Sequence, residues 1–109
     1  MNWEKVNEFL DAWVARHGLP ADMTAMSLVL VDFENEADCD FFYPGRDMVS
    51  HKAFSMALAK LARERNARTE HAMIHRGHYS AWLAAEKVED SAETRDRFIE
   101  SRYKVLPAI

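Results

Sequence analysis

The sequence predicts a small α+β domain, a short antiparallel sheet packed against helices, with elements in the order α-β-β-α-β-α-α. Three observations carry this. Apolar residues near the start recur at helical spacing, and a β-branched run, Ser27-Leu28-Val29-Leu30-Val31-Asp32-Phe33, comes after the Gly18 and Pro20 break. The chain of 109 residues is 49% hydrophobic and 29% charged, with only three Gly and three Pro, the balance of a folded protein and not of a disordered one. That length suits one compact domain spanning 1–109.

The first helix is expected from Asn2 to His17. Trp3, Val6, Leu10, Trp13 and Val14 form one stripe, with Glu4, Lys5, Glu8, Asp11 and Arg16 largely elsewhere on the wheel. Gly18 ends it and Pro20 opposes its resumption. The run from Ser27 to Phe33 reads as a strand buried on both faces at its start and on one at its end. Asn35 to Asp38 then reads as a turn, and Cys39 to Tyr43 as a returning strand closed by Pro44-Gly45, making an antiparallel hairpin. In that hairpin Phe41 and Phe42 point to opposite faces, so one aromatic is expected outside the principal core; an exposed Phe42 would make an interface anchor, and a second helix covering that face fits equally well.

Ser50 reads as the N-cap of a helix reaching about Asn66, with Phe54, Leu58, Leu61 and Ala62 inward. Glu70 to His75 alternates as a third strand, which a stable sheet needs, although a short helix also fits the pattern. Gly77 interrupts, and His78 to Lys87 forms a helix that turns Tyr79, Trp82 and Leu83 inward. Asp90 and Glu93 have capping-box spacing before a last helix from Ser91 to about Tyr103, anchored by Phe98 and Ile99. A short tail containing Pro107 completes the chain.

Charge is distributed unevenly. The net charge is −4, but residues 1–45 carry −7 and residues 46–109 carry +3. No lysine or arginine stands between Arg16 and Arg46, whereas Asp32, Glu34, Glu36, Asp38 and Asp40 occupy every second position. On an extended hairpin these five carboxylates make one negative stripe suited to a basic protein partner. The stripe lacks the turn glycine and closing glutamate of an EF-hand loop. Arg63, Arg65 and Arg68 are the leading phosphate contacts, but the acidic total opposes direct binding to nucleic acid.

The candidate chemistry is sparse. His71, His75 and His78 have spacing that on a helix would gather three imidazoles for zinc, but Gly77 interrupts it and no HExxH motif is present. No metal or other cofactor is therefore expected. Cys39 is the only cysteine, which excludes an internal disulfide, and its acidic neighbours disfavour a thiolate. The first residues lack the pattern of a secretory signal and no apolar stretch has membrane-spanning length, so a cytoplasmic location and no membrane partner are expected.

A very small acidic domain with no catalytic motif and a carboxylate stripe from Asp32 to Asp40 resembles, in size and charge, the phage or mobile-element inhibitors of anti-CRISPR and anti-restriction type. The resemblance implies a non-enzymatic binding protein that blocks a nucleic-acid-binding host enzyme by occupying its lysines and arginines. Asp32, Glu34, Glu36, Asp38, Asp40 and Phe42 are then the partner-binding residues. A metal-dependent hydrolase using His71, His75 and His78 is the second reading. A self-associating domain, most simply a dimer, is the third.

Overall fold

In a computed structural model, residues 2–107 are described, with side chains to residue 104. The domain is α+β. Five helices surround a sheet of strand order β2-β1-β3, built from α1 (Trp3–His17), β1 (Met26–Phe33), α2 (Glu36–Phe42), α3 (Met48–Glu64), β2 (Arg68–Ile74), α4 (Arg76–Glu86), α5 (Ala92–Arg102) and β3 (Lys104–Pro107). Among the described residues no helix is long and apolar enough to cross a membrane.

The expected hairpin does not form. Its second arm is α2, because the Asn35 side chain accepts from the Asp38 amide and starts a helix with Glu36 and Asp38 in its first turn, where the helix dipole favours acids. β1 pairs instead with β2, and the pairing is parallel, made possible by the long crossover through α2 and α3. This corrects the sheet geometry expected from the sequence. The antiparallel neighbour of β1 is β3, formed where a tail was expected, with Lys104 opposite Val29 and Pro107 opposite Met26.

Other boundaries move less. Asn2 caps α1, and Gly18 at φ +66° ends it in a conformation that costs glycine nothing. Asp47 caps α3 where Ser50 was expected, and Ser50 donates to it at 3.0 Å. Ser91 and Thr94 form the capping box of α5, which frees Asp90 to bind Tyr79 and both ends of the Arg95 fork.

Along the parallel pair, Thr69, His71 and Met73 share a face with Leu28, Leu30 and Asp32. His71 and Met73 meet α3 there, in a cleft with Met48, Lys52 and Met56. Across the sheet, Val29, Ala72 and Ile74 face Trp82 of α4. Phe42 is buried, which corrects its reading as an exposed interface anchor. Its ring stacks between Phe33 at 5.8 Å and Phe98 at 5.6 Å, with Tyr79 edge-on at 5.5 Å. Burying such aromatic side chains contributes about 2 kcal/mol each, enough to settle the local choice between strand and helix. Val6 and Trp13 are buried as the α1 stripe requires, but Trp3 is 60% exposed.

A polar pair is enclosed beside the sheet. The Arg46 guanidinium lies between the Phe9 and Tyr43 rings at 3.9 Å from each, and its Nη1 donates to His51 Nδ1 at 3.3 Å. His51, 1% exposed, donates from Nε2 to the Val31 carbonyl at 2.8 Å. β3 stops at Val29, so a side chain satisfies the carbonyl that the ladder leaves free. Burial pushes the His51 pKa down to about 4, and the Arg46 charge adds to the effect.

Candidate functional site

The carboxylates read as one stripe occupy different environments. Asp32, at the end of β1, accepts from His71 Nδ1 at 2.7 Å. Glu34 is exposed in the connection to α2. Glu36 accepts from the Met48 amide at 3.0 Å and so ties α2 to the start of α3. Asp38 is 4% exposed and accepts from Arg76 Nε at 2.8 Å, while Asp40 is exposed and accepts from the Gly45 amide at 3.2 Å. Helical spacing has separated residues that strand spacing would have aligned. Only Glu34, Glu36 and Asp40 remain both exposed and outside any ion pair among the described residues.

The histidines are likewise divided. His71 belongs to β2, whereas His75 caps α4 and lies tilted against His78 with ring centroids 3.7 Å apart. His75 Nδ1 accepts from the Gly77 amide at 3.2 Å, and a Cβ at Gly77 would stand 3.0 Å from that nitrogen, so the glycine serves this cap. Among the described residues no three His, Cys, Asp or Glu side chains are grouped to hold a metal ion. Of the arginines weighed as phosphate contacts, Arg65 is occupied by the Leu19 carbonyl at 2.8 Å.

The Asp32–His71 pair has the orientation of a base held by a carboxylate, and His71 Nε2 makes no hydrogen bond among the described residues. The nearest candidate nucleophile in the same cleft, Ser55, is 3% exposed with its hydroxyl directed to the Val31 carbonyl at 3.5 Å. General-base chemistry needs an accessible nucleophile or a bound substrate, and this arrangement supplies no exposed serine or cysteine. Cys39 is fully buried, donates to the Arg46 carbonyl at 3.4 Å, and has its pKa pushed up to about 11 by burial.

The largest exposed apolar side chains line this cleft and the one that adjoins it. Trp3 is 60% exposed, Val49 59%, Met56 72% and Met73 52%. Two adjoining clefts share Lys52, Met56 and His71, giving one groove between the outer face of α3 and β2. Its floor is apolar. Asp32 and Glu34 border one end, and Lys60 and Arg63 the other. β2 is an edge strand, and among the described residues no other segment makes backbone bonds to its outer side.

Neither Met56 nor Val49 stands out in the sequence as a surface residue. A signal was present: Met56 falls off the stripe of Phe54, Leu58 and Ala62. No protein-family model matches the chain, and neither a curated protein nor a solved structure is significantly similar to it.

Proposed function

We propose that this chain is a non-enzymatic protein-binding domain that docks a partner in the groove between α3 and the edge of β2. The observation that carries the reading is the grouping of Trp3, Val49, Met56 and Met73, all more than half exposed, beside an unpaired strand edge. Scattered single apolar residues need no explanation, but a cluster rimmed by charge marks an interaction surface. An incoming strand gains backbone bonds on β2 while its side chains enter the apolar floor.

A second reading keeps the basic partner expected from the charge asymmetry. Glu34, Glu36 and Asp40 are exposed carboxylates without ion pairs among the described residues, and an inhibitor of a nucleic-acid-binding enzyme would present these three to its lysines and arginines. One comparison separates the two. Tagged wild type, Met56→Glu, and a Glu34→Gln, Glu36→Gln, Asp40→Asn triple variant are used to recover bound protein under identical conditions. The groove reading expects Met56→Glu alone to lose the bound protein. Loss with the triple variant and retention with Met56→Glu would overturn it in favour of the acidic surface.

A further inference from the structure

We infer that the groove is completed by a second copy of this chain, joined by an antiparallel β2 to β2 pair on a two-fold axis through His71. The inference rests on the groove being the docking surface and names its occupant. With the axis perpendicular to the sheet, both copies of α3 lie on the same side, and opposed residues keep the same face. His71 then faces His71 of the second copy, and Thr69 faces Met73. The two three-stranded sheets become one of six strands, and neither β2 edge is left open.

The charges choose both the partner and the register. α3 reaches β2 through only Arg65, Asn66 and Ala67, so Lys60 and Arg63 lie beside the start of β2, with Arg68 next to them. Asp32 and Glu34 lie at the other end of the groove. Reversal about His71 sets the basic end of one copy against the acidic end of the other and brings the two Met56 side chains together near the middle. An axis through Glu70 would oppose two carboxylates directly, and an axis nearer the start of β2 would bring the two sets of Lys60 and Arg63 together. Directly opposed like charges destabilise a strand pair. The groove is therefore complementary to itself in the register centred on His71.

Sedimentation of the full chain at about 100 μM should give about twice the chain mass of 12.6 kDa, and Met56→Glu should raise the dimer dissociation constant at least about tenfold. The register is read by oxidation. In a Cys39→Ser background, His71→Cys should form a disulfide-linked dimer, since opposed Cα atoms on paired strands are about 4.5–5.5 Å apart. Lys60→Cys should not. Circular dichroism and melting of each variant establish that it is folded, and Arg63→Glu with Glu34→Lys should regain association that either change alone weakens.

A wild type that sediments as a monomer overturns the second-copy inference. If Met56→Glu nevertheless loses a different bound protein, the docking groove stands without it. A dimer that Met56→Glu leaves intact overturns the groove as the dimer seam, and a dimer whose His71→Cys form stays reduced while Lys60→Cys links overturns the register.

Discussion

Replacing His51 by Gln should remove a pH-dependent loss of stability and leave a constant cost. His51 is 1% exposed, donates to the Val31 carbonyl, and receives a hydrogen bond from Arg46 on its other nitrogen. Protonation would put a second donor against the Arg46 guanidinium beside a buried ring. The folded pKa of about 4 lies below the ordinary 6.5, so between those values the unfolded chain binds the extra proton. Stability must therefore fall as pH falls. The loss begins near pH 6.5 and is complete below about pH 4. At about 1.4 kcal/mol for each pH unit, the separation amounts to about 3 kcal/mol.

Gln can keep a donor toward Val31 but lacks the ring that lies 4.9 Å from Phe33. His51→Gln should consequently be about 1–2 kcal/mol less stable at pH 7. Urea unfolding of both proteins at pH 7, 5 and 4 isolates the effect, because their carboxylates titrate alike. The deficit of the variant should shrink and then reverse as pH falls. Parallel stability curves across this range would refute the assignment of His51 as a buried neutral donor.

Asp38 and Arg76 should respond unequally to removal, because the Asp38 side chain is 6% exposed and that of Arg76 55%. Arg76→Ala strands a buried carboxylate and should cost about 2 kcal/mol, whereas Asp38→Ala leaves a solvated arginine and should cost about 1 kcal/mol; equal losses in urea melts would contradict this. Cys39, fully buried with its pKa pushed up to about 11, should resist alkylation at pH 8 until the chain is unfolded, and rapid labelling of folded protein by mass spectrometry would show the thiol to be open. Tyr79→Phe removes the hydroxyl that joins Asp90 at 2.7 Å and Thr94 at 2.8 Å, and a loss of about 1–2 kcal/mol is expected on thermal melting, with no loss refuting the bridge between α4 and α5.

What the sequence made legible follows from how local each signal is. α1, β1 and α5 lie close to their expected positions because an apolar period, a β-branched run and terminal caps are encoded within single segments. The third strand was legible for the same reason. Its direction was not, since parallel pairing depends on where α3 carries the chain. At residues 36–42 the period-two carboxylates suggested a strand, while Asn35 in N-cap position before two acids suggested a helix. The aromatic cluster of Phe33, Phe42, Tyr79 and Phe98 decides between them, and it is assembled from distant segments. β3 was hidden because four residues carry too little pattern.

The candidate site was less legible still. Two methionines and a valine are ordinary core residues by composition, and exposure appears only once α3 has been placed against the sheet. Trp3 was assigned inward with Val6 and Trp13, but it begins the helix at the margin of α3, where the core ends. Conversely, Asp38 and Phe42 looked available and became buried through contacts that alternation alone does not encode.

Site-specific photocrosslinking tests the docking surface most directly. A photoreactive side chain is placed at Met56 in the groove, at Asp40 on α2, or at Glu86 at the end of α4, all exposed positions, and the protein is irradiated in the cells that make it. The account predicts a discrete crosslinked product from Met56 and none from Asp40 or Glu86. A product from Asp40 with none from Met56 would contradict it and return the partner to the acidic surface.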